Sequence, residues 1–211
     1  MVQLSLGKLF QFVIAVSARH NIDESHSLGH SMRVLYFAEQ IASEEPHYIT
    51  SPAIFENDRA IIQAAAVLHD TCDKKYRDEQ TGLLEIRDFL EPMMPSHQIT
   101  DTCRIIENMS YSKVTKTGMP DFGNLQTAFN VVREADLMDA YDFDRSIMFH
   151  IHKNGKHLEE AYKDATELFD KRVFKHADDG LLLTQYAIRR HPELSKNAMN
   201  RMVSWRQIFT K

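Results

Sequence analysis

AIIQAAAVLHD, residues 60–70, decides how this chain reads. From Ala60 to Leu68 only Gln63 is polar. A helix that is apolar nearly all round has no solvent face, so it belongs at the centre of a bundle. The run then stops at His69 and Asp70. Adjacent side chains diverge on a regular helix. At a helix end, however, the backbone can turn so that both reach one point.

Two neighbouring segments put similar side chains on apolar faces. Upstream, His30, Val34, Phe37, Ala38 and Ile41 follow the spacing of one buried helical stripe, so His30 points inward. His26 lies one turn earlier on the same side. Downstream, Leu125, Phe129, Val132, Asp136 and Asp139 fall on or near another stripe, so Asp136 is buried with Val132. A lone buried carboxylate is very costly unless it is paired or bound to metal, and that stripe offers no obvious Arg or Lys partner. Taken singly, each feature has an ordinary explanation. A single His on an apolar face is usually a satisfied core histidine, and a single inward Asp often caps a helix or pairs. In conjunction, two His and two Asp from three helices form a mixed nitrogen and oxygen set. That set suits Mn²⁺, Fe²⁺, Co²⁺ or Mg²⁺ better than a closed structural zinc site. We therefore expect one divalent cation held by His30, His69, Asp70 and Asp136, with coordination positions left for water and substrate.

The rest of the chain is read as helical, with no alternating strand pattern. Helices are expected at 3–19, 25–44, 54–70, 79–91, 96–109, 124–141, 155–176 and 178–208, the last breaking or restarting at His191-Pro192. Lys113 to Gly123 reads as the longest loop. Without a repeat or linker, residues 1–211 form one all-α domain: a core bundle over about 20–150 and additional C-terminal helices over about 151–211.

Composition excludes several classes. With 43% hydrophobic and 26% charged residues the chain is an ordinary globular one. A net charge of −5 disfavours a nucleic-acid polymer as partner, which would need a basic face. Cys72 and Cys103 form no CxxC, so no disulfide framework is expected and a reducing cytoplasm is the default. The N-terminal stretch reads as an amphipathic helix and not a signal peptide, and nothing is long enough to span a membrane. His150, His152 and His157 read as surface histidines, the ten methionines as core filler, and Trp205 as a pin for the last helix.

Three motifs carry a family resemblance. SHSLGHSMRVLYFAEQIA (residues 25–42, with HxxRV at 30–34), AAAVLHDTCDKKY (64–76) and VVREADLMDAYDFDR (131–145) resemble the HD superfamily of metal-dependent phosphohydrolases, and more closely its small stand-alone members. The resemblance covers roughly residues 20 to 150. It implies an HD-type helical bundle, with His30, His69, Asp70 and Asp136 as metal ligands. It also implies hydrolysis of a phosphate ester of a nucleotide or other small phosphorylated metabolite by a metal-activated water. Asp70 then has a catalytic role through the metal, and Asp73 or His26 moves protons. Arg33, Lys74 and Lys75 are the candidate phosphate contacts. Two departures stand out. The acid two positions before the metal Asp is Glu134, and the glycines that often follow the last motif are absent from AYDFDRSIMFH. Only His97 lies between the HD pair and Asp136, which favours a mononuclear site. Two other readings stay open: an HD-type iron oxygenase with two irons, and a module that binds a metal or nucleotide without turnover.

Overall fold

A computed structural model describes residues 4–209 of the 211, so residue 3 of the expected first helix lies outside the described residues. The described chain is all-α. Eleven helices follow one another: α1 Leu6–His20, α2 Leu28–Glu44, α3 Pro46–Thr50, α4 Pro52–Leu68, α5 Glu79–Leu90, α6 Ser96–Asn108, α7 Tyr111–Thr117, α8 Gln126–Asp139, α9 Phe143–His152, α10 Leu158–Lys171 and α11 Gln185–Phe209.

Local chemistry sets several boundaries. The Ser5, Asp78, Ser110 and Asp142 side chains each accept a hydrogen bond from a backbone N–H three residues on, which caps α1, α5, α7 and α9. Pro46 and Pro52 open α3 and α4, where a missing N–H costs nothing. Asn21 ends α1 in the left-handed region at φ 52°.

As its composition requires, α4 is central. Ile61, Ile62 and Ala64 to Leu68 are all buried, and the helix packs against α1, α2, α6 and α8. The most extensive packing joins α2 to α8, the helices that carry His30 and Asp136. A second, smaller apolar cluster gathers Tyr141, Phe143, Ile147, Ala161, Ala165, Phe169, Val173 and Ala198, with Trp205 against it. It holds α9, α10 and the distal part of α11 together as a layer on the bundle.

The helix expectations need four corrections. A five-residue helix occupies 46–50. The expected loop from Lys113 contains the end of α7, whose Ser110 cap and preceding Met109 define a short helix. The region just past Asp139 yields a separate helix, α9, started by the Asp142 cap. Finally, α11 starts at Gln185, later than expected, and runs unbroken through Pro192. Proline in a helix interior removes one hydrogen bond. Packing of Tyr186 and Ala187 before the proline and of Leu194 and Ala198 after it keeps the segment helical here.

Candidate metal centre

The HD pair sits where α4 tightens. Residues His69–Cys72 form a 3₁₀ turn directly after α4. The tighter winding brings both side chains toward α2 and α8. Thr71 Oγ1 donates to Leu68 O at 2.7 Å and locks the turn. Behind it lies Gly82 of α5. A Cβ at that position would meet Cys72 Cβ at 2.4 Å and Cys72 Cα at 2.9 Å. Only glycine lets α5 approach the turn this closely.

Four side chains then converge. His30 Nε2 lies 3.0 Å from His69 Nε2, 3.1 Å from Asp70 Oδ2 and 3.5 Å from Asp136 Oδ1. His69 Nε2 lies 3.4 Å from Asp70 Oδ1 and 3.7 Å from Asp136 Oδ1. His30 is fully buried, and Asp136 retains 21% of its side-chain exposure. Asp70 Oδ2 is buried yet lacks a hydrogen bond of acceptable geometry despite its closeness to His30.

The other ring nitrogens determine what these groups can do. His30 Nδ1 is 2.6 Å from Asp139 Oδ2, and His69 Nδ1 is 3.0 Å from Ala66 O. Arg145 Nη1 also stands against His30 Nδ1 but donates to Asp139 Oδ2. With the carboxylate and the Ala66 carbonyl as the acceptors, both Nδ1 atoms carry the proton and both Nε2 atoms present lone pairs. Two lone pairs 3.0 Å apart, flanked by two carboxylates, repel unless a positive charge lies between them. Burial opposes a proton on His69, but Asp70 and Asp136 outweigh it and lift its pKa to about 9. Burial likewise opposes ionisation of Asp70 and Asp136, yet the adjacent imidazoles hold both carboxyls below the ordinary range. His30, His69 and Asp136, whose ligand atoms all lie within 4.8 Å of one another, therefore fit a divalent cation on the chemistry of their own atoms, with Asp70 beside the two imidazoles.

Asp139 carries the layer around the centre. Besides His30 it accepts from Arg33 Nε at 2.7 Å and Arg33 Nη2 at 3.2 Å, and from Arg145 Nη1 at 2.8 Å. Three carboxylates, Asp70, Asp136 and Asp139, face two guanidiniums. With neutral imidazoles the balance is one negative charge, which a divalent cation turns positive.

A pocket of about 670 Å³ opens beside the centre, lined on one side by His69, Asp70 and Asp136 and on the other by side chains of α7, α9 and α10. His26, Asp73, Lys74 and Lys75 also line it, and Arg33 does not. His26 is buried just ahead of α2. Ser25 Oγ donates to Asp23 Oδ1 and Tyr76 OH donates to Asp23 Oδ2, at 2.5 and 2.6 Å. Both hydroxyl oxygens therefore face His26 Nδ1 as acceptors, at 2.6 and 3.2 Å. The proton sits on Nδ1, and Nε2 accepts from Lys75 Nζ at 3.1 Å. Burial, with the positive charges of Lys75 and Arg145, pushes the His26 pKa down to about 3. Asp73 caps the loop: Oδ1 accepts from Lys75 N at 2.8 Å, and Oδ2 pairs with Lys75 Nζ at 3.0 Å. Lys74 is exposed.

Other residues at the site had no sequence signal. Arg145 and Phe149 reach the pocket only because α9 folds back after Asp142. His150, read as a surface histidine, lines the pocket with its Nε2 buried and unpartnered, whereas His152 and His157 are exposed. Glu134 is fully buried, and its Oε2 accepts from Thr184 N and Oγ1, both at 2.9 Å. It thereby anchors the segment before α11, with Arg133 donating to Leu181 O at 2.6 Å.

Comparison with known proteins agrees with this architecture. A crystal structure of a structural-genomics target from Lactobacillus plantarum superposes with a TM-score of 0.68 at 18% identity, covering 100% of this chain and 99% of that one. At that identity the likeness concerns the fold. A search of curated proteins returns no significant match. The HD-domain family model matches residues 27–202, from the turn before His30 to within α11. That span contains all four converging side chains and, His26 excepted, the pocket beside them, and the chain belongs to the HD-domain family, whose members are generally metal-dependent hydrolases.

Proposed function

We propose that the protein is a phosphohydrolase that cleaves a phosphate ester of a nucleotide or another small phosphorylated metabolite, using one divalent cation held by His30, His69, Asp70 and Asp136. The observation that carries this reading is the pair of imidazole lone pairs facing each other between two carboxylates at the pocket's edge. A cation bound there polarises a phosphoryl oxygen and lowers the pKa of a water. The chain's own residues do the remaining work. Asp139 and the Ala66 carbonyl fix the tautomer and direction of the two imidazoles. Arg145 and Arg33 hold Asp139 in place. His26, its pKa pushed down to about 3, stays neutral and accepts from Lys75 through Nε2, so it positions Lys75 at the pocket and does not itself carry a proton. Asp73 also holds Lys75. The pocket volume suits a metabolite-sized ligand and not a polymer.

Metal analysis of the wild type beside His69→Ala and Asp136→Ala, followed by a phosphate-ester screen with Mn²⁺, Co²⁺ or Mg²⁺, tests the proposal. The expected result is one metal per wild-type chain and a loss in both variants exceeding the roughly 10–100-fold typical of an outer-shell mutation. A folded His69→Ala protein with full metal content refutes the ligand set. Two irons per chain would favour the oxygenase reading. Metal without turnover across the panel would favour a silent binding module.

A further inference from the structure

The cations around the pocket are not equivalent. Lys75 pairs with Asp73 at 3.0 Å, Lys113 with Glu79 at 2.7 Å, Arg145 with Asp139 at 2.8 Å and Lys171 with Glu167 at 2.9 Å. Lys74 is exposed, and water compensates it. Arg172, at the end of α10, is half-buried and has no ion-pair partner among the described residues, and its Nε is buried without a hydrogen-bond acceptor. Its guanidinium carbon instead sits 3.8 Å from the centroid of the Tyr111 ring, and both residues line the pocket.

A partly desolvated cation without an anion is an unfavourable arrangement that a chain keeps only where something supplies the missing charge. Burial pushes the Arg172 pKa down, and the field of Asp136 acts against that fall. Arg172 lines the same pocket as the candidate metal centre and feels its charge. A guanidinium offers a planar fork that matches two phosphate oxygens. The aromatic face of Tyr111 holds that fork in one orientation.

Resting on the phosphohydrolase reading, we propose that Arg172, braced by Tyr111, is the residue that receives the phosphate oxygens of the ligand across the pocket from the metal-binding set. The ligand class is accordingly a phosphorylated anion, and the C-terminal layer is part of the binding site.

The test is calorimetric titration of inorganic pyrophosphate into the full chain, once loaded with Mn²⁺ and once stripped with EDTA. Wild type, Arg172→Gln and Arg172→Lys are compared, with Mn per chain counted in parallel. Arg172→Gln is expected to weaken pyrophosphate binding about ten- to hundred-fold with unchanged Mn content. Arg172→Lys is expected to lose less, because the charge stays and only the fork is lost. Equal affinity in wild type and Arg172→Gln, or no binding to wild type, overturns the proposal. If Arg172→Gln does not fold, wild-type affinity in Arg172→Lys overturns it instead. Full Mn content with binding indifferent to Arg172 sinks the anion site alone. Arg172-dependent binding by a chain that takes up no Mn sinks the metal-hydrolase reading and sustains the anion site.

Discussion

His30, His69, Asp70 and Asp136 come from α2, the turn after α4 and α8, all packed in the main core. Arg145, Phe149 and Arg172 come from α9 and the end of α10, which rest on the smaller cluster around Phe143, Phe169 and Ala198. The first region supplies lone pairs and carboxylates, and the second supplies guanidiniums and an aromatic ring. A cation needs several donors held to within a fraction of an ångström, which central helices with close-packed neighbours provide. A ligand wall needs only a few groups of the right charge, and a layer docked on the bundle can supply them. The difference teaches that the two halves of the site rest on different packing and can be broken separately.

Phe169→Ala should produce the largest effect on stability. The ring is fully buried in the smaller cluster, stacked edge-on against Phe143 at 5.1 Å, and it also lines the pocket. Its loss should cost about 3–5 kcal/mol, read as a lower denaturation midpoint, while Mn content of the folded protein stays at the wild-type level. Loss of metal as well would mean that the two regions are one energetic unit.

Asp139→Asn strikes the junction from the other side. The variant keeps the shape but withdraws the charge that His30, Arg33 and Arg145 share. Metal affinity should fall roughly 10–100-fold, measured by competition with a chelating dye. The midpoint of unfolding should drop as well, though by less than in Phe169→Ala, because the Asn oxygen still accepts while Arg145 loses its buried counter-charge. An unchanged affinity would show that the His30 tautomer does not depend on Asp139.

The smallest effect at neutral pH is expected at His176, between the two regions. It is fully buried against Tyr111 and Tyr141, neither ring nitrogen has a hydrogen-bond partner, and burial pushes its pKa down to about 3. The folded state holds the neutral form, so this contribution is intact above the unfolded pKa near 6.5 and is lost as pH falls from there toward 3. At pH 4.5, about two units below the unfolded value, the loss amounts to about 3 kcal/mol. His176→Leu should remove that part of the acid destabilisation, seen as a shallower fall of melting temperature between pH 6.5 and 4.5. An unaltered slope would place the acid sensitivity in other groups, His26 first among them.

Much of the fold was legible because burial imposes periodicity. Nothing but a central helix suits Ala60 to Leu68, and the stripe of α2 pointed His30 inward, while that of α8 brought Asp136 to the site half-buried where full burial was expected. Residues whose role depends on a distant element left no such trace. Arg172 sits in a charged stretch like any surface arginine, and His150 among three histidines spaced like surface ones. Arg33, which sequence placed with Lys74 and Lys75 as a phosphate contact, is bound to Asp139 and Asp142. The caps that start α7 and α9, Ser110 and Asp142, were present in the sequence, but cap residues are also common in loops.

By itself, then, the sequence determined an all-helical bundle and the order of the residues that meet at its centre, because apolar spacing is a local property that dictates which side faces inward. Tertiary structure alone decided which nitrogen of each imidazole is free, which cations are already paired, and that α9 and α10 help to line the pocket. Those outcomes depend on distances between groups far apart along the chain, and electrostatic and hydrogen-bond energies change over a single ångström.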